Sequence, residues 1–203
     1  MKKQSDVRTM VFLAILGAWA VVLRFIDFPI LPAAPFLKID FSDLMVLIGM
    51  LVNGPVGLIT VALIRDVIHY IMKGGEVGFP IGAFMSIIAS IVMFLPTHYI
   101  LNKFNLVSMR VKEIWMSLAL IFGLVVSMAI INYYIALPIY TTVLNFPIDD
   151  FFAYILAVVI PFNLIKGVFL AVGQIAVIRL VPNLLVKRNT IYSGYKLIQR
   201  ESH

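Results

Sequence analysis

Apolar runs at about 9–28, 43–53, 55–72, 80–102, 113–138 and 152–182 occupy most of this chain, and they decide what it can fold into. Hydrophobic residues make up 62% of the 203 positions and charged ones only 13%, with a mean hydropathy of +1.04. That leaves too little polar surface to cover a soluble globule. The chain therefore reads as an all-α integral membrane protein, a compact bundle of six transmembrane helices, since a span needs about 20 residues at about 1.5 Å each. The second and third runs are joined only by Asn53-Gly54-Pro55, a turn signal, which makes them a short helix and its antiparallel neighbour. A re-entrant pair at that place is the alternative. Asp149-Asp150, just before "FFAYI", should start the last helix, because acidic groups favour the positive end of the macrodipole.

An even number of spans puts both termini on one side, and the lysines and arginines choose which. Lys2, Lys3, Arg8, Lys103, Arg110, Lys112, Lys187, Arg188, Lys196 and Arg200 fall on the terminal side. The other side carries only Arg24, Lys38 and Lys73 among several carboxylates. Both termini are expected in the cytoplasm, with "PILPAAPFLKIDFSD" as an outer loop long enough to act as a lid. The division is a membrane domain over 1–186 and a polar, basic and loosely ordered tail over 187–203. The first run is too long for the core of a cleaved signal peptide. A net charge of +6 arises without a basic stripe interleaved with aromatics, so no nucleic-acid partner is expected. With no cysteine, thiolate chemistry and cysteine metal sites are excluded.

Polar groups inside the apolar runs carry the functional signal. Asn163 and Lys166 stand three apart in "PFNLIKG", hence on one helix face, about 21 Å in from Phe152 by helical rise, or shallower if Pro161 begins the inserted helix. A lysine near the middle of a membrane span is unfavourable by roughly 2.5–3.5 kcal/mol, so an unused one is improbable. Asn132 lies at similar depth in the preceding helix. Carboxamides offer donors and acceptors and a lysine offers donors, a set that suits a planar heterocycle with alternating carbonyl and N–H groups. Tyr133, Tyr134 and Tyr140 are candidate aromatic walls.

"LIRDVIHYIMK" supplies a further cluster. Arg65 and Asp66 are adjacent and so on different faces, whereas Asp66 and His69 are three apart and can meet. One reading is a proton relay in a self-sufficient transporter; the preferred one is an ionic cluster that organises the outer half of the bundle. Ala14 and Ala18 form a small-x-x-x-small face on the first helix, suited to packing in the bundle or to docking another membrane subunit. No Walker A loop, nucleophile elbow or H-E-x-x-H motif is present, so neither an enzyme nor a metal site is expected, and energy for uphill transport must come from other chains.

"APFLKIDFSD", "NGPVG", "NYYIALPIYTTVL" and "PFNLIKG" occur in this order and together closely resemble the riboflavin-specific substrate-binding subunits, or S-components, of energy-coupling-factor (ECF) vitamin transporters. The resemblance runs from about Phe25 to Leu180. It implies a six-helix S-component that captures riboflavin from outside as a transported ligand, with no cofactor. The implied partners are a transmembrane coupling subunit and two cytoplasmic ATPases. Asn132, Asn163 and Lys166 would hold the flavin head, and Phe36, Leu37, Lys38 and Asp40 would close the site. Ala14 and Ala18 would contact the coupling subunit. Two positions depart from the pattern: "MSIIAS" stands where relatives commonly read "ANFIAG", and Asp66 stands where Asn is frequent.

Overall fold

The computed structural model describes residues 7–31, 37–75, 78–104, 107–143, 145, 147–187 and 190–195. Among the described residues, five helices are long and apolar enough to cross a membrane: α1 (Val7–Phe25), α2 (Ser42–Lys73), α3 (Ile81–Lys103), α4 (Met109–Val143) and α5 (Phe151–Lys187). Two-residue strands β1 (Phe28–Pro29) and β2 (Lys38–Ile39) pair antiparallel between α1 and α2.

A straight helix of α2's 32 residues would be about 48 Å long. It is not straight. Asn53 (φ −137°) and Gly54 (φ 61°, ψ −148°) leave helical geometry, as a glycine readily does, and Pro55 starts the second arm. The arms fold back on each other, so that Arg65 bonds Asp43 across 22 residues, a separation that would be about 33 Å in an unbroken helix. Gly49 and Gly57 face each other where the arms meet: a Cβ on Gly49 would lie 2.9 Å from the Gly57 carbonyl oxygen. The hairpin expected from Asn53-Gly54-Pro55 is present, and its first arm, 42–52, is shorter than a full span.

Two π-turns interrupt the later helices, Asn132–Ala136 in α4 and Ile155–Val159 in α5. Each ends two residues before a proline, Pro138 and Pro161. A helical proline lacks the N–H for the carbonyl four residues back and crowds it, and a widened turn relieves both. Pro161 thus lies within α5 rather than starting it. The helix begins at Phe151, where the Asp150 carboxylate accepts from Phe152 N (2.8 Å) and Ala153 N (3.1 Å), as the acidic pair led one to expect.

The apolar core runs along the bundle axis through Val46, Met50, Leu58, Met93, Met116 and Leu120. The tail departs from expectation. Far from loosely ordered over 190–195, it folds back under the hairpin, with Tyr195 wholly buried, Tyr192 N donating to Leu51 O (2.9 Å) and the Tyr195 hydroxyl sharing a 2.7 Å bond with His98 Nδ1. The break in α2 strands backbone carbonyls at the end of its first arm, and this strap supplies a donor to one of them. The Tyr192 ring also lies 3.0 Å from where a Cβ on Gly54 would be.

Candidate functional site

At the end of the bundle that carries the β1–β2 ladder, a cavity of about 390 Å³ opens among α1, α3, α4, α5 and β2, within the usual size for a small-molecule site. Its lining includes Leu37, Lys38, Asp40, Asn132, Asn163 and Lys166. Six of the residues expected to bind ligand are therefore brought together from three separate parts of the chain. Phe36 lies outside the described residues.

Both carboxamides stand beside a π-turn, Asn132 at the start of the first and Asn163 four residues past the end of the second. Asn132 Nδ2 donates to Met128 O (2.7 Å) and Asn163 Nδ2 to Val159 O (2.8 Å), each four residues back in its own helix. Their amide orientation follows from these bonds. Neither Oδ1 has a donor among the described residues, and that of Asn132 is fully buried. A buried acceptor without a partner is unfavourable by about 1–3 kcal/mol, which a ligand N–H would recover. Lys166 supplies the complement. Its Nζ forms an ion pair with Asp43 Oδ2 at 3.4 Å and also lines the cavity, where an ammonium can direct further N–H donors to a ligand.

Behind Lys166 stands a network that sequence reading only partly located. Arg65, with no exposed surface, donates to Asp43 (2.7 Å), Asp66 (2.9 Å), Ser86 (2.7 Å), Ser90 (3.0 Å) and Ser42 (3.2 Å). Arg24 reaches Asp66 at 3.1 Å and Ser86 at 2.7 Å. Asp40 accepts from the backbone N–H (2.8 Å) and hydroxyl of Ser42. Three cations, Arg24, Arg65 and Lys166, thus meet three carboxylates, Asp40, Asp43 and Asp66, so the buried charge is compensated. The adjacency of Arg65 and Asp66 did not keep them apart, because the long arginine side chain curls back around its neighbour.

His69 does not join Asp66. Its ring packs on Phe25 (centroids 5.1 Å apart) and its Nε2 has no partner among the described residues. Of the three tyrosines, only Tyr140 lines the cavity. Tyr134 is 72% exposed, and Tyr133 packs edge-on against Tyr134 and Phe151. Ala14 and Ala18 lie on the exposed face of α1, flanked by Ile15 and Trp19. A second cavity, about 340 Å³, sits at the opposite end of α4, where Arg179 bonds Glu113 through two nitrogens (2.7 and 2.6 Å); it contains none of the expected ligand-binding residues.

The profile of the family described as ECF transporter, substrate-specific component, matches residues 8–178. The chain belongs to this family. Among its relatives, the riboflavin transporter FmnP of Bacillus subtilis (strain 168) is 36% identical over 170 residues, covering 82% of this chain and 87% of that one. The riboflavin transporter RibU of Streptococcus thermophilus (strain ATCC BAA-250 / LMG 18311) is 33% identical over 186 residues, 90% and 87% of the two chains. A solved structure described as the S component of a bacterial ECF transporter superposes with a TM-score of 0.68 at 30% identity, over 88% of this S-component and 97% of that chain. Membership makes the protein a multi-pass membrane subunit of a transporter and not an enzyme.

Proposed function

We propose that this S-component binds riboflavin in the cavity between α4, α5 and β2, taking it up from outside the cell for an ATP-driven importer. The observation that carries the reading is the pair of carboxamide oxygens that accept no hydrogen bond among the described residues, beside a lysine held only by its 3.4 Å ion pair with Asp43. Acceptor, donor and acceptor then match the N–H and carbonyl alternation along the polar edge of a flavin, while Leu37, Phe162 and Tyr140 offer apolar surface for its rings. The riboflavin transporters among its relatives support the same ligand.

In this reading the α2 hairpin supplies two of six membrane helices, and the basic ends of α3, α4 and α5 face the cytoplasm together with both termini. The membrane domain spans 1–186, with the basic segment 187–203 on the cytoplasmic side. A transmembrane coupling subunit docks on Ala14 and Ala18 of α1, and two cytoplasmic ATPases supply the energy. Asp66 is no proton carrier in this account, because Arg24 and Arg65 both hold its carboxylate. Flavin-fluorescence titration of the purified protein tests the site. Saturable one-to-one quenching is expected, weakened by about 1.5–3 kcal/mol in Lys166→Met if the ammonium bonds the ligand; an unchanged affinity in that variant contradicts the assignment of Lys166.

A further inference from the structure

We propose that Asp27 is the latch of this cavity: its carboxylate ties β2, through Lys38, and the end of α2, through Lys73, to the end of α1, and so sets how long a ligand stays. The inference rests on the reading of the cavity as the flavin site.

Asp27 follows α1 by two residues and immediately precedes β1. Its Oδ2 accepts from Lys38 Nζ at 2.9 Å and lies 3.5 Å from Lys73 Nζ. Lys38 sits on β2, paired with Pro29 of β1, and lines the cavity beside Leu37 and Asp40. A two-strand ladder this short does not hold itself. Two things hold it here. Leu37 and Ile39 pack on Phe162 of α5, close to Asn163, and the Asp27 carboxylate bridges the two lysines.

The anchor for this latch is firm. One turn before Asp27, Arg24 fixes the end of α1 to α2 through Asp66 and to α3 through Ser86. A movement of β2 away from the cavity must therefore break the Asp27 contacts, because α1 cannot follow. The charged groups that face Asp27 are Lys38 and Lys73, with His69 beside them, itself faced by Arg24 and Asp66. Burial raises the Asp27 carboxyl, but the Lys38 bond and the charges of Lys38 and Lys73 outweigh it and hold the group below its ordinary range.

Two measurements on the full chain test the latch. In stopped-flow flavin quenching, Asp27→Asn should raise koff about three- to tenfold while kon stays within about twofold, as the loss of two partly exposed ion pairs allows. The parent's koff should rise between 50 and 500 mM KCl by screening, and the variant's should not. Lys73→Met should give a smaller rise, with no further rise when combined with Asp27→Asn. An unchanged koff, a loss carried by kon alone, or salt dependence that persists in Asp27→Asn overturns the proposal. Hydrogen exchange of the ligand-free protein reads the latch without flavin: Asp27→Asn should speed exchange at 37–40 and leave α3 unchanged, and equal protection at 37–40 in both proteins overturns it. Failure of the parent to bind flavin would sink the ligand assignment, while the exchange result would still decide the latch.

Discussion

Replacing Arg65 by methionine should be the most damaging single change beneath the site. Its guanidinium is fully buried and donates to two carboxylates and three serine hydroxyls. Removing one partner from a buried ionic group typically destabilises by about 3–5 kcal/mol, because the charges left behind stay desolvated. Asp43 would keep Lys166 at 3.4 Å and Asp66 would keep Arg24 at 3.1 Å, which places the loss toward the lower end. For a protein of this size, 3–5 kcal/mol corresponds to a fall of about 6–20 °C in Tm. Two cations would then face three carboxylates. Adding Asp66→Asn restores the balance, so Arg65→Met with Asp66→Asn should regain a substantial part of the loss. The assay is the fraction remaining monodisperse in detergent after heating, since the chain has no cysteine for thiol dyes to report on. An Arg65→Met protein melting within about 2 °C of the parent would refute the reasoning, as would a double variant less stable than the single one.

Three further outcomes follow from the geometry. Gly57→Ala should lower stability by about 1–3 kcal/mol or prevent folding, because the new Cβ meets the Gly49 carbonyl oxygen across the α2 hairpin; a heat-resistance assay of membrane-extracted protein checks it. Tyr195→Phe should lose about 1–3 kcal/mol by leaving His98 Nδ1 unpaired, and truncation before Thr190 should lose more, both read by the same melt. Flavin residence time should be flat from pH 8 down to about 4 as far as Asp27 is concerned. Its folded-state value lies below the ordinary 3.8, so the latch contribution is complete above 3.8 and is lost only as pH falls through the lower folded value; a koff that climbs between pH 7 and 5 and flattens in Asp27→Asn would contradict this.

The large features were legible because lipid imposes them. Every long apolar run became a helix, and Asn53-Gly54-Pro55 broke α2 where a positive φ and a missing N–H coincide. Asn132, Asn163 and Lys166 stood out as polar groups at membrane depth, and the cavity gathers them. What was missed lies where side-chain reach or long-range packing decides. Helical periodicity describes Cα directions, so it separated Arg65 from Asp66, although a side chain that long can turn onto the next residue. Asp43 read as one of several outer-side carboxylates, and Ser86 and Ser90 only as part of the departure "MSIIAS"; the fold alone sets them around one guanidinium. Arg24 read as part of an outer loop's charge count and is instead a member of the buried network. The strap at 190–195 was hidden by its polar surroundings: Tyr192 and Tyr195 are isolated aromatics in a basic tail, and their packing site exists only after α2 breaks. Pro138 and Pro161 were the available signal for the two π-turns that lie beside Asn132 and Asn163.

The most direct test of the central claim is the visible absorption spectrum of the detergent-purified protein, with identification of whatever ligand is released on denaturation. A flavin spectrum whose released species is riboflavin, in a one-to-one ratio with the chain and diminished in Lys166→Met, is the predicted result. A folded, colourless protein that also fails to quench added riboflavin would contradict the assignment of the cavity between α4, α5 and β2.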